Sequence, residues 1–195
     1  MKSKGIHFGA YGPFIIGRQD EPVTSEDLKN FWEAADHKHP GIARAKGVYI
    51  AAIWRGKNKR LYPVYIGKTD TSFKGRLTEK HHLFELAKVY EPRRLRVFFL
   101  ARMESEGGSF KLATRRKGGD GRGELVQSVS IQRLEFELIG KCVRAGFPLF
   151  NTQYKAFHTA FNVAGFVGKT RAGDRAAADE IRNLLKPKRK STDGA

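Results

Sequence analysis

The fold is decided by two neighbouring stretches of sequence, residues 47–54 (GVYIAAIW) and residues 61–67 (LYPVYIG). Both stretches are rich in β-branched and aromatic side chains, which favour β-strands. The residues between them, 55–58 (RGKN), have the composition of a turn. Together the two stretches predict a β-hairpin.

Helices and a third strand flank this hairpin. Helices are predicted at about residues 25–37, 70–89, 124–145 and 173–186, a third strand at 95–101, and a Gly- and Arg-rich loop at 106–123. Thr24 or Ser25 can cap the first helix, and Asp70 or Thr71 the second, because their side-chain oxygens accept hydrogen bonds from free backbone N–H groups. The residues before Pro22 are expected to form an arm or an edge segment. The pattern predicts an α+β fold.

The charge balance indicates the class of partner. The chain has 195 residues, of which 40% are hydrophobic and 29% charged, values that suit one compact domain with extra elements. Its 37 Lys and Arg against 20 Asp and Glu give a net charge of +17. Such an excess is typical of proteins that bind nucleic acid, because phosphate contacts release counterions. A ribosome-associated protein or a basic protein without such a partner is the alternative.

The cysteine content and hydropathy bear on location. A single cysteine, Cys142, excludes an internal disulfide and favours a reducing compartment. The longest apolar run, residues 48–54, is far shorter than the roughly 18–20 residues that a membrane-spanning helix requires. We therefore expect a soluble cytoplasmic protein with no membrane association.

Two charged residues fall on apolar faces of predicted helices. At about 100° per residue, Glu135 lies on the apolar arc of the long helix, whereas Glu137 lies on the opposite side. The residues that define this arc are Ile131, Leu138, Ile139 and Cys142. Arg76 lies in the same way on the preceding helix, beside Phe73, Leu83 and Ala87. Burial of a charge is costly without a partner. The pattern therefore indicates a buried Arg76–Glu135 ion pair, two charges at the fringe of amphipathic helices, or a functional site.

Five elements in this order resemble the GIY-YIG nuclease family. They are Gly47-Val48-Tyr49 in the first strand, Tyr65-Ile66-Gly67 in the second, Arg76, Glu135, and residues 148–152 (PLFNT). The resemblance covers roughly residues 47–152. Either tripeptide alone is a weak signal, but the ordered set is specific.

The resemblance implies a fold and a division of the chain. It implies a small domain with a central three-stranded antiparallel sheet flanked by helices, and a site on one face of the sheet. Residues 1–45 would then form an N-terminal arm and helix, residues 46–155 the catalytic domain, and residues 156–195 a C-terminal helical extension with a basic tail.

The resemblance also implies roles for four side chains. Glu135 would hold one divalent cation per active site, Mg²⁺ or Mn²⁺, a hard ion suited to a carboxylate, waters and a phosphate oxygen. Arg76 would stabilise the charge on the phosphoryl group. Tyr49 would activate the attacking water with help from Tyr65. A phenol with a pKa near 10 requires for this either a pKa lowered by nearby cations or a relay through a water or a histidine.

Three further residues are implied with less specific signals. A histidine often follows the family's arginine by one helical turn; here His81 is one position late, and it lies closer to the arginine face than His82. A surface histidine without a role is the alternative. Asn151 is expected to support the site near the metal-binding helix, and Lys68 to contact phosphate.

The implied partner is double-stranded DNA. The expected function is that of a site-specific, restriction-type endonuclease, and because one site cleaves one strand, a homodimer or higher oligomer is expected. The residues expected to contact DNA are Lys68, Arg115, Arg116, Lys117 and Arg122. The alternatives are a structure-specific repair or phage-type nuclease, and a non-catalytic DNA-binding protein with the same fold.

Overall fold

A five-stranded antiparallel sheet forms the centre of the molecule. The computed structural model describes residues 6–16, 23–55, 60–78, 95–106, 109–114, 122–151 and 175–185. The strands are β1 (His7–Ile15), β2 (Gly47–Arg55), β3 (Arg60–Thr69), β4 (Leu95–Glu106) and β5 (Ser109–Leu112). Their order is β1-β4-β2-β3, and β5 pairs with β4.

The predicted hairpin is confirmed, and it lies in the sheet as expected. β2 pairs with β3 on one side and with β4 on the other, so the three predicted strands are adjacent. The expected count of three strands was too low by two. β1 (HFGAYGPFI) is interrupted by glycines and a proline and lacks a clear alternation, and the four-residue β5 lies in the span predicted as a loop.

Three of the four predicted helices are confirmed. They are α1 (Ser25–Lys38), α3 (Arg122–Arg144) and α4 (Arg175–Leu184). α1 is capped by Thr24, whose hydroxyl accepts a hydrogen bond from Asp27 N, while Thr24 N donates to the Asp27 carboxylate. This reciprocal capping box satisfies two backbone N–H groups that the helix leaves free.

The helix after β3 differs from the prediction. α2 (Phe73–Arg76) is one turn long and is capped by Ser72 rather than by Asp70 or Thr71. Leu77 leaves the helical region, with φ −89° and ψ 69°. Residues 79–94 lie outside the described part of the chain. The helical-wheel argument that placed Arg76 on the apolar face of a long helix was therefore wrong, and the Arg76 side chain is exposed.

Each face of the sheet is covered by helices and has its own core. α1, the 3₁₀ turn Ile42–Arg44 and α2 cover the face that carries Tyr49, Ala51 and Ile53. α3 and α4 cover the other face, which carries Val48, Ile50 and Ala52. Within the described ranges, no helix has the length and apolarity that crossing a membrane requires.

All three predicted sections contribute to this assembly. β1, from the N-terminal section, pairs with β4 of the central one. α4, from the C-terminal section, buries Ile181 and Leu184 in the core beneath the sheet. The described parts of the chain therefore share one sheet and its two cores.

Candidate active site

The two motif tyrosines are neighbours on the α1 side of the sheet. In the β2–β3 register Tyr49 lies opposite Gly67, and Ala51 lies opposite Tyr65. The tyrosine rings are nearly parallel, with centroids 6.1 Å apart. Their hydroxyls also interact through a hydrogen bond. The hairpin therefore brings both phenols to one place.

The motif glycines are required by close approaches. A Cβ at Gly67 would lie 2.5 Å from Tyr49 Cζ and 2.9 Å from Tyr65 Cε1, so a side chain there would displace the tyrosines. Gly47 has a φ of +156°, and a Cβ there would overlap the Leu100 carbonyl oxygen. Gly67 makes room for the site, and Gly47 permits β2 to pair closely with β4.

Arg76 is positioned by the docking of α2. Phe73 is fully buried, its ring lies 4.5 Å from that of Phe99, and its N–H donates to the Ala45 carbonyl over 2.9 Å. The Arg76 guanidinium forms a hydrogen bond with Tyr49, and its charge also acts on Tyr65. The exposed Arg76 guanidinium is therefore oriented by the buried Tyr49 hydroxyl. Its remaining N–H groups can donate hydrogen bonds to an anion on the solvent side.

Glu135 is the buried carboxylate of the site. It is 7% exposed, and its buried Oε2 has no hydrogen-bond partner in the described part of the chain. Burial raises the pKa of Glu135 to about 7, a shift that the Lys68 charge opposes, Asp70 increases and Arg76 opposes. No ion pair joins Glu135 to Arg76 within these described residues. The predicted buried Arg76–Glu135 pair is therefore absent from them.

The candidate site residues come from both faces of the sheet and are nearest to one another at β3. Glu135 belongs to α3, which packs against the face opposite the tyrosines, mainly on β3. Its charge nevertheless acts on Tyr65. The expectation of a site on one face of the sheet was too simple, because the acid comes from one face and the phenols from the other.

Tyr49 has the opposite electrostatic character from the one that water activation requires. It is fully buried, and burial raises its pKa far above the ordinary value for a phenol. Tyr65 raises the pKa of Tyr49 further, and Arg76 opposes the shift without reversing it. Tyr49 is therefore a neutral hydrogen-bonding group at neutral pH. Of the two routes to water activation considered from the sequence, a lowered pKa is not found, and the relay through a water or a histidine stays a prediction.

Lys68 and Asp70 form an ion pair beside Glu135. Lys68 Nζ lies 2.7 Å from Asp70 Oδ2, and both side chains are partly exposed. From the sequence, Asp70 was predicted only as a helix cap. Its position two residues after Lys68, where β3 ends, was the available signal for a charged pair at the site.

Asn151 lies at the free edge of β3. Its side-chain amide donates to the Ile66 carbonyl and accepts from Ile66 N, the latter over 3.0 Å. The N–H of Phe150 donates to the Val64 carbonyl over 2.8 Å. Asn151 therefore pairs with the strand that carries Tyr65, and both functions of its amide are used in that pairing.

The remaining predicted residues are placed differently. His81, Arg115, Arg116 and Lys117 lie outside the described residues, and of Arg122 only the backbone, at the start of α3, is described. Glu137 was expected on the side of α3 away from the core. It is instead 4% exposed and forms an ion pair with Lys141 at 3.3 Å, because α3 is buried on more than one side.

The residues present suit a hard divalent cation. No group of three or more His, Cys, Asp or Glu side chains is close enough to bind a metal within the described ranges. Mg²⁺, however, commonly binds one or two carboxylates and completes its octahedron with waters and substrate phosphate oxygens. The buried, unpartnered Glu135 oxygen is a suitable ligand for such an ion.

Comparison with known proteins identified no similar protein. No family model matches the sequence, and no curated protein and no solved structure matches the chain.

Proposed function

We propose that the chain is a metal-dependent DNA endonuclease of the GIY-YIG type that hydrolyses phosphodiester bonds. The observation that supports this most is that Arg76 interacts with both tyrosines, and that Arg76 and Tyr65 interact electrostatically with Glu135. The buried Oε2 of Glu135 lacks a hydrogen-bond partner among the described residues. A net charge of +17 supports a polyanionic substrate. Site-specific, restriction-type cutting of duplex DNA is the mode we propose.

Each of these residues has a distinct role in the proposed reaction. Glu135 would hold the cation, which when bound supplies Lewis-acid stabilisation of the scissile phosphate and the leaving oxygen. The exposed Arg76 guanidinium donates to phosphoryl oxygens and stabilises their developing charge. Neutral Tyr49, which is fully buried, holds Arg76 and Tyr65 in place by hydrogen bonding, and the partly exposed Tyr65 would orient the attacking water.

The test is cleavage of supercoiled plasmid by the purified chain with Mg²⁺ or Mn²⁺, and with EDTA. Glu135→Gln should abolish cleavage and retain DNA affinity at moderate salt, because it removes the cation ligand and no basic group. Glu33→Gln is the matched control, since it removes one negative charge from an exposed position on α1. Full activity of Glu135→Gln would refute the assignment.

The products separate the three modes of action. Fragments with defined ends support restriction-type cutting, whereas cleavage confined to branched substrates would support a structure-specific nuclease. DNA binding without any cleavage, at every cation tested, would show a non-catalytic binding protein.

A further inference from the structure

Asp70 is held in place by the turn that follows β3. Thr69 Oγ1 donates to the Ser72 carbonyl over 3.1 Å and accepts from Thr71 N over 3.2 Å. Ser72 in turn caps α2 by accepting from Gly75 N over 3.0 Å. The turn that carries Asp70 is thereby connected to the helix that carries Arg76.

The Lys68–Asp70 pair begins on the face of the sheet that α3 covers. Lys68 lies opposite Val48 in the β2–β3 register, and Val48 packs in the core formed with α3, the helix that carries Glu135. Of the charged groups that act on Glu135, Lys68 has the largest effect and Asp70 the next largest. The Glu135 oxygen is more than nine-tenths buried, yet no described residue donates a hydrogen bond to it. The Glu135 and Asp70 carboxylates therefore lie near each other, and the Lys68 ammonium group forms an ion pair with Asp70, the more exposed of the two.

We propose that Asp70 is the second carboxylate of the cation site, and that Lys68 occupies the place of the cation's charge until the cation binds. The inference rests on the proposed function, since it concerns the same site. Glu135 and Asp70 would hold the divalent cation, whose charge would neutralise both carboxylates, and waters would fill its other coordination positions. Lys68 then leaves Asp70 and is free to donate to a phosphate oxygen of the substrate.

This arrangement has opposite consequences for the two members of the pair. Asp70→Asn removes a negative charge and an anionic oxygen, so the cation affinity of the free protein falls. Lys68→Met removes a competing positive charge, so the cation affinity of the free protein rises. The two charges acting on Glu135 from a distance would give the same signs, so ligation by Asp70 is distinguished by the size of the loss in Asp70→Asn.

The experiment measures Mn²⁺ binding to the full chain without DNA, by titration calorimetry and by electron paramagnetic resonance of free Mn²⁺. We expect Asp70→Asn to weaken binding about tenfold or more, Lys68→Met to tighten it several-fold, and Glu33→Gln to leave it unchanged. Thermal melting of each variant with EDTA checks the fold. Unchanged Mn²⁺ affinity in both Asp70→Asn and Lys68→Met would overturn the proposal, and so would weaker binding in Lys68→Met.

The outcomes distinguish this inference from the proposed function. If Glu135→Gln loses both cleavage and Mn²⁺ binding while Asp70→Asn binds Mn²⁺ normally, the nuclease stands and the second carboxylate is wrong. If Mn²⁺ binding depends on both acids but the unmodified chain cuts no DNA, the cation site stands and the nuclease is wrong. Should Asp70→Asn fail to fold, Asp70→Ser, which also lacks the carboxylate, takes its place in the same measurement.

Discussion

Glu135 and Tyr49 are both acids whose charged forms are disfavoured by burial. For Glu135 the pKa in the folded protein is about 7, against 4.5 for the free group. The cause is packing of α3 beneath the sheet, which removes water from the carboxylate. A bound cation reverses this preference, because metal ligation requires the ionised carboxylate.

This pKa shift predicts how stability depends on pH in cation-free buffer. The folded state binds the Glu135 proton more tightly than the unfolded state, so the stabilisation is complete below pH 4.5 and is lost as the pH rises through 7. Glu135→Gln is neutral throughout. The free energy of unfolding of the unmodified protein should therefore fall relative to that of Glu135→Gln by up to about 3 kcal/mol across this interval.

Urea denaturation with EDTA at several pH values from 4 to about 8.5 measures this difference. A difference between the two proteins that is constant with pH would contradict the shift.

Single residues of the site were predictable from sequence to different extents. Tyr49, Tyr65, Arg76 and Glu135 were proposed from the order of the motifs, which is a property of the sequence. The placement of a charge among apolar residues holds for Glu135, which is buried, and not for Arg76, which is exposed. The raised pKa of Tyr49 was not predictable, because it depends on burial by segments far away in the chain. Asp70 was missed because a capping role explained it sufficiently.

At the scale of elements, α2 is a one-turn helix whose only described function is to carry Arg76. An isolated helix of this length is not stable by itself. Its geometry depends on the Ser72 cap and on the docking of Phe73, so its cap should matter for activity more than for stability.

Two capping variants test this. Ser72→Ala and Thr24→Ala each remove an N-cap hydroxyl, and each should lower the free energy of unfolding by about 1 kcal/mol. Only Ser72→Ala should reduce the rate of plasmid cleavage, because Thr24 caps α1, which carries no residue of the proposed site. Equal loss of kcat in both variants, measured at a temperature where both are folded, would contradict the positioning role of α2.

The Asn151 contact with β3 gives a second prediction at this scale. Asn151→Asp retains an acceptor for Ile66 N but at neutral pH has no donor for the Ile66 carbonyl. Loss of this buried hydrogen bond should destabilise the protein by about 2–3 kcal/mol at pH 7. Because a protonated carboxyl can donate, the loss should diminish as the pH falls below about 5.

Asn151→Ala is the comparison, since it lacks both functions at every pH. Chemical denaturation at pH 4.5 and 7 should show recovery for Asn151→Asp only; parallel behaviour of the two variants would show that the amide does not hold β3.

Elements with strong periodicity were predicted well. The hairpin, α1, α3 and α4 have patterns that local physics determines. β1 was seen only as an arm or edge segment, because its pairing with β4 is a contact between distant parts of the chain. α2 was extended too far, because the apolar residues after it continued a helical period that the chain leaves at Leu77.

At the scale of the whole molecule, the net charge of +17 would dominate the encounter with the proposed DNA substrate. Each phosphate contact contributes about −0.9 to the slope of log K against log salt. Replacing Arg116 and Lys117 together with Ala should weaken binding and reduce the magnitude of that slope by about 2. Fluorescence anisotropy over a salt series measures this; an unchanged slope would exclude these residues from the DNA interface.

The strand order has a consequence for synthesis on the ribosome. β1 is made first, but the strand it pairs with is β4, which also lies beside β2. The strands therefore cannot assemble into the sheet until β4, which ends at Glu106, has emerged from the ribosome. Glu135 and Asn151 emerge after β4. During translation the side chains of the proposed site can therefore come together only after residue 151 has emerged from the ribosome.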